Sequence, residues 1–402
     1  MSRSTRQAGH TAANAVVMGY LLAAAVRVVV HSPGAAPDWL LVHLLLLGAL
    51  TNAIVTWSSH FAIALLQQPQ LPAAVPIVRL LVLNAAVVGV LVAVSEGSRA
   101  GTIGSAALLT LVVLAQLAAL VRIGHAGRAR RFAPTVRFYW FAAAALLLGV
   151  SAGVTMAVGD LPAAWYERVY LTHVHLNLFG WITLTVLGTL FTLWPTALRT
   201  RMVTGLERAA TACLLCCAGG LALAVAGLLS WTRPLATVGL LLYCAGVLVF
   251  LDPFVRTARR RAPHGAATVL LAAGTGWLLA GLGYDVVALF RAADPYALAA
   301  DVGDLAPWLL TGFAVQILIG ALSVLVPVVL GGSPSVNRRT AAALNRLGPA
   351  TAALLNAGVL LLALPDSALS RAAWPLVAAA IVLFAASVAA AVVARAGARP
   401  AG

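Results

Sequence analysis

Two histidines one residue apart, His173 and His175, with Asn177 two further on, sit near the start of V-Y-L-T-H-V-H-L-N-L-F-G-W-I-T-L-T-V-L-G-T-L-F-T-L-W-P, running from Val169 to Pro195. Neutral imidazole is a common ligand for haem iron, copper and zinc. The stretch is otherwise apolar, and at about 1.5 Å per residue it exceeds a hydrocarbon core of roughly 30 Å. Polar groups in such a span are costly and point to function. Histidines two positions apart diverge by about 200° around a helix. His173 and His175 are therefore expected to serve two sites, or one to support the other's ligand role. Asn177 follows His173 by one turn and Trp181 follows Asn177 by one turn, so the three share a face and Asn177 can orient the His173 ring. The cluster also suits polar packing between helices, binding of a transported ion, or histidines at the water interface.

Two further positions extend the candidate site. His43 stands five residues before Gly48, as His175 stands five before Gly180. Asp285 follows Tyr284 near the end of a later apolar run; a carboxylate there can bond a histidine or a haem propionate, take up protons, or simply sit at the interface. His60, on nearly the same helical face as His43 but deeper, reads as interfacial or as a second haem level. Gln316 reads as glue between helices or as a substitute for a lost ligand. Cys213 and Cys216 form a C-x-x-C by spacing; with Cys217 and Cys244 they lie in apolar runs and read as packed thiols. There is no Walker motif and no nucleophile triad.

The elements that position these residues are membrane helices. The chain has 402 residues, 62% hydrophobic and 9% charged, with a mean hydropathy of +0.98, the composition of a membrane protein. Apolar runs fall near 13–31, 39–66, 76–94, 103–122, 137–158, 168–194, 207–230, 234–251, 265–290, 306–330, 341–364 and 372–394. The fold expected is all-α: a polytopic bundle of about twelve transmembrane helices forming a single integral membrane domain. The first run, after a short basic head and with no clear cleavage site, reads as a retained helix. All 26 basic residues are arginine, and the net charge is +15. They gather in alternate connectors, among them Arg128, Arg130 and Arg131, and Arg259–Arg261, whereas Asp38, Glu96, Asp160 and Asp294 fall in the others. That alternation follows the positive-inside rule, explains the charge better than nucleic-acid binding does, and predicts a multi-pass plasma-membrane protein with both termini cytoplasmic. The basic connectors suit contact with the lipid bilayer's anionic headgroups, and the C-terminal tail reads as frayed.

An internal repeat is also expected. Gly180, Gly188 and Pro195 recur as Gly312, Gly320 and Pro327 with the same separations, and Gly48 joins the register. The second, sixth and tenth runs correspond, implying three pseudo-repeated four-helix units near 13–122, 137–251 and 265–394. Pro307 takes the place of the histidine in the third.

Twelve spans in three arcs, with histidines heading the second and sixth, resemble subunit I of the haem–copper oxidase superfamily. The H-V-H-L-N-L-F-G-W run looks like a segment of small oxidase-like membrane proteins. H-L-L-L-L-G-A-L-T-N-A-I-V-T-W-S-S-H-F and G-W-I-T-L-T-V-L-G-T-L-F-T-L-W-P-T-A-L-R-T-R-M resemble the membrane part of actinobacterial proteins fused to multicopper-oxidase or copper-nitrite-reductase-like domains. The resemblance implies haem or copper near the outer face, with His43, His175 and His173 as metal ligands, and Asn177 and Asp285 supporting them. It also implies electron transfer with a periplasmic cupredoxin or multicopper oxidase partner. The chain departs from the family pattern. The seventh run has no histidine pair, the sixth no His-x-x-x-Tyr, and the tenth no histidine. Dioxygen reduction is therefore not expected. The same features would suit a transporter or copper-handling permease, or a membrane anchor for a copper enzyme.

Overall fold

The computed structural model describes residues 3–31, 37–72, 74–127, 129–331, 333–364 and 367–396. Arg128 and the C-terminal tail lie outside the described residues, as does the side chain of Arg130. The helices are α1 (Arg3–His31), α2 (Trp39–Leu65), α3 (Ala74–Ser95), α4 (Arg99–Ala126), α5 (Ala133–Val158), α6 (Ala163–Ala197), α7 (Leu206–Ser230) and α8 (Arg233–Arg260). They continue with α9 (Ala266–Arg291), α10 (Pro295–Leu330), α11 (Pro334–Asn345), α12 (Gly348–Leu362) and α13 (Ser367–Ala396). There is no strand among the described residues. Eleven helical stretches among them are long and apolar enough to cross a membrane.

The run expected at 341–364 is where the structure differs. Its first residues belong to α11, an amphipathic helix carrying Arg338 and Arg339, and the chain restarts helically only at Gly348. Pro349 explains the restart: without an N–H it is tolerated in the first turn of a helix but not in the interior. The resulting α12 has fifteen residues, about 22 Å of helix, short of a bilayer core of roughly 30 Å.

The helices form two compact units. One comprises Met1–Ala53, Ala262–Gly281 and Asp304–Gly402; the other comprises Ile54–Arg261 and Leu282–Gly303. In the first, α13 packs on α1, α11 and α12, and α1 packs on the beginning of α2. Gln316 and Asn356 exchange amide hydrogen bonds at 3.2 and 3.3 Å, joining α10 to α12, and the Trp277 indole donates to Asn356 Oδ1 at 3.2 Å. Gln316 is thus glue between helices. In the second unit, α6 lies against α5, α7 and α8. The hairpin of α7 and α8 is packed backbone to backbone: a Cβ on Gly239 would lie 2.2 Å from Ala224 N, and one on Gly220 2.5 Å from Tyr243 N. Small residues allow that approach. All four cysteines are free thiols; Cys213 and Cys217 are the neighbouring pair, with sulfurs 3.9 Å apart.

Three of the helices widen into π-helical turns, at Leu44–Leu50 in α2, Leu176–Thr183 in α6 and Trp308–Val315 in α10. The turns begin directly after His43, His175 and Pro307, and each contains one of the repeat glycines, Gly48, Gly180 and Gly312, which stand at equal intervals along the chain. The turns in α2 and α10 pack against one another. A π turn brings the carbonyl five residues back into reach of a side chain. Thr51 Oγ1 donates to Leu46 O at 2.9 Å, and Thr183 Oγ1 to Leu178 O at 2.8 Å.

Candidate functional site

The backbone fixes the His175 ring first. Its Nδ1 lies 2.8 Å from Leu171 O, one turn back on α6. A carbonyl only accepts, so Nδ1 carries the hydrogen and Nε2 is the free-standing nitrogen of the ring. Nε2 lies 3.1 Å from Asp285 Oδ2 on α9, and the two side chains are only 3% and 2% exposed. Between an imidazole nitrogen and a carboxylate oxygen at that distance there must be a positive charge: one proton, on either partner, or a metal ion in its place.

The surroundings are apolar. Ala224 and Leu228 of α7, Leu240 of α8 and Leu289 of α9 line a narrow crevice beside the pair, too tight for a water molecule. These leucines belong to a larger cluster containing Leu171, Ala288 and Leu298. The Phe179 ring meets the His175 ring edge-on at 5.4 Å, and the Tyr243 hydroxyl donates to Phe179 O at 2.8 Å. The π turn after His175 thus places both an aromatic wall and a tyrosine anchor against the site. Thr172, one turn before His175 and on the same face, has a buried hydroxyl oxygen with no hydrogen-bond partner.

A small ion fits this donor set. Two ligands on one tetrahedral ion, with bonds of about 2.0–2.2 Å, stand roughly 3.3–3.6 Å apart, close to the separation observed. Imidazole with carboxylate suits copper or zinc. Among the described residues, no group of three or more His, Cys, Asp or Glu side chains is placed to hold a metal; within its unit the pair supplies two ligands.

His173 points elsewhere. Its Nδ1 donates to Gly149 O of α5 at 2.9 Å, and the Asn177 amide donates to His173 O at 2.7 Å and lies 3.3 Å from His173 Nδ1. With Nδ1 donating to Gly149 O, the bond from Asn177 goes to the His173 backbone, and the two histidines face different neighbours, His173 on α5 and His175 on α9. Glycines on α5 make the seat: a Cβ on Gly149 would lie 2.6 Å from the Asn177 amide nitrogen, and one on Gly153 2.9 Å from His173 Cε1. The G-V-S-A-G spacing on α5 was the signal available for it.

His43 belongs to the other unit. Its Nδ1 lies 2.8 Å from Trp39 O, again one turn back, and its ring stacks on Trp39 at 4.2 Å. Asp38 opens that helix by accepting from Leu41 N at 2.9 Å and pairs with Arg27 at 3.1 Å. His43 and His175 therefore share a local construction: Nδ1 tied to the carbonyl four residues back, and a π turn following. His60 packs edge-on against Trp57 at 5.4 Å.

No protein-family model matches the chain, and no curated protein matches it.

Proposed function

We propose that this chain is a membrane electron-transfer protein that holds a redox metal at the His175–Asp285 pair, near the outer end of its sixth span, and exchanges electrons with a periplasmic cupredoxin or multicopper oxidase. The observation that carries the reading is the buried His175–Asp285 pair, whose shared positive charge a metal ion can replace at nearly the existing spacing. Copper is the ion that joins such ligands to one-electron chemistry. The chain's residues supply binding and exclusion of water. Leu171 O holds the His175 tautomer that coordinates through Nε2, Asp285 balances charge, and the leucine cluster keeps the site dry. His43, in the other unit, is a separate candidate ligand, supported by its matching tie to the carbonyl one turn back.

The same reading takes the plasma membrane as the location, with both termini cytoplasmic, which requires the short α12 to complete a twelfth crossing, on the support of the arginine distribution. It takes three four-helix units, supported by the even spacing of the π turns. The narrow, apolar crevice beside the buried pair favours a second reading, a copper permease that opens this pair alternately to either side.

Metal analysis and a visible spectrum of the purified protein test the proposal. Bound copper in the wild type, lost in His175→Ala and in Asp285→Asn, is the expected result. A Soret band that shifts on reduction and disappears in His43→Ala would replace copper with haem. Protein that takes up neither group after loading overturns the redox reading. Copper uptake into vesicles with no redox signal selects the permease.

A further inference from the structure

An arginine near the end of a membrane span ordinarily extends its guanidinium outward to water. Arg79, in the first turns of α3, turns inward. Its Nη1 donates to Ser59 Oγ of α2 at 2.9 Å and to Gln116 Oε1 of α4. Gln116 stands further from the end of α4 than Arg79 does from the start of α3, so the cation is drawn toward the interior. The Gln116 amide nitrogen donates in turn to Ser58 Oγ and Ser59 Oγ, both at 3.0 Å, and to Val55 O at 3.3 Å. Gln116, Ser58 and Ser59 are all buried. The network therefore fixes the guanidinium in one place.

Every one of those acceptors is neutral. None of the ion pairs among the described residues includes Arg79. Both of its hydrogen bonds use Nη1, which leaves Nε and Nη2 without a protein partner among the described residues. Those two nitrogens form the side-on edge of the guanidinium, whose parallel N–H groups match two oxygens of a carboxylate or phosphate. Beside it, Val75 and Val78 of α3 are exposed on an apolar face, and α3 is among the least enclosed spans, its most apolar window only 28% buried. A fixed, uncompensated cation with an open fork, set next to a lipid-facing surface, calls for an anionic oxygen ligand that arrives from the lipid side.

We propose that Arg79, held by Ser59 and Gln116, is a seat for a phosphate-type oxyanion, and that in the membrane its occupant is the headgroup phosphate of an anionic phospholipid lying along α3. The site is independent of the His175–Asp285 pair and of any metal.

The test uses the full-length protein in detergent, with phosphatidylglycerol, phosphatidylcholine or inorganic phosphate added. Thermal stability and lipid retention in native mass spectrometry are the readouts. Phosphatidylglycerol should raise the melting temperature of the wild type and be retained by it in preference to phosphatidylcholine. Arg79→Gln should weaken that retention by roughly tenfold or more, the loss of one charge-assisted pair. Arg79→Lys, which keeps the charge but lacks the fork, should fall between, and it serves if Arg79→Gln does not fold. A shift with inorganic phosphate alone, absent in Arg79→Gln, supports the oxyanion seat and overturns lipid as its occupant. Equal lipid retention by the wild type and both variants, or no preference for the anionic lipid, overturns the proposal.

Discussion

His175 Nε2 and Asp285 Oδ2, on α6 and α9, lie 3.1 Å apart with both side chains buried. The geometry separates stability from binding. Removing one member leaves a polar or charged group stranded in an apolar cluster, so His175→Ala or Asp285→Ala should destabilise the protein by about 3–5 kcal/mol. Asp285→Asn should cost far less, because an amide can still donate to Nε2. Replacing both residues with leucine should recover most of the loss. Thermal unfolding of the five proteins in one detergent checks the order.

The seat of the other histidine is steric. A Cβ at Gly149 meets the Asn177 amide at 2.6–2.8 Å, and one at Gly153 meets the His173 ring at 2.9 Å. Gly149→Ala and Gly153→Ala should each destabilise by about 1–3 kcal/mol, the usual cost of overpacking. Gly219→Ala on α7, with nothing within 4 Å of its Cβ, should instead gain up to about 1 kcal/mol from helix propensity. Melting temperatures of the three variants should move in opposite directions accordingly.

In the first unit, Gln316 and Asn356 bond reciprocally and Trp277 shares the Asn356 oxygen. Asn356→Leu strands two donors and should cost more than Gln316→Leu. A double-mutant cycle between the pair should give a coupling of about 0.6–1.7 kcal/mol, the range of hydrogen bonds between membrane helices. A coupling near zero would remove the amide pair as a reason for α10 and α12 to stay together.

These relationships divide by whether the sequence can carry them. Helices announce themselves through length and hydropathy, and α6 appears in the apolar pattern almost to its ends. The divergence of His173 and His175 follows from helical geometry alone and is what the structure contains. The equal spacing of Gly48, Gly180 and Gly312 was open to inspection, but the π turns around them were not, because a widened turn leaves no compositional trace. The partner of His175 was a candidate residue without an address: pairing residue 175 with residue 285 depends on how α6 and α9 pack, which periodicity does not encode. The break before α12 was legible in Gly348-Pro349 and was masked by the surrounding leucines and alanines. The inward turn of Arg79 has no signal in the sequence, since which way a side chain turns at a span end is decided by Gln116 and the serines across from it.

The π turn of α6 offers the sharpest steric test of its own packing. A Cβ at Gly180 would lie 2.4 Å from Ala145 Cβ on α5 but 3.8 Å from Ala145 Cα, with Leu221 Cδ2 at 3.1 Å. The obstacle is therefore one methyl group, since the leucine tip can turn aside. Gly180→Ala alone should destabilise by about 1–3 kcal/mol through overpacking. Ala145→Gly alone should cost about 1 kcal/mol in helix propensity, with a further loss from the small void. Together they move the methyl from α5 to α6 and restore the contact at an ordinary distance. The double variant should then be more stable than Gly180→Ala, a coupling that appears only if the two helices touch here. Additive losses, measured by thermal unfolding of all four proteins, would mean that α5 and α6 do not meet at this turn.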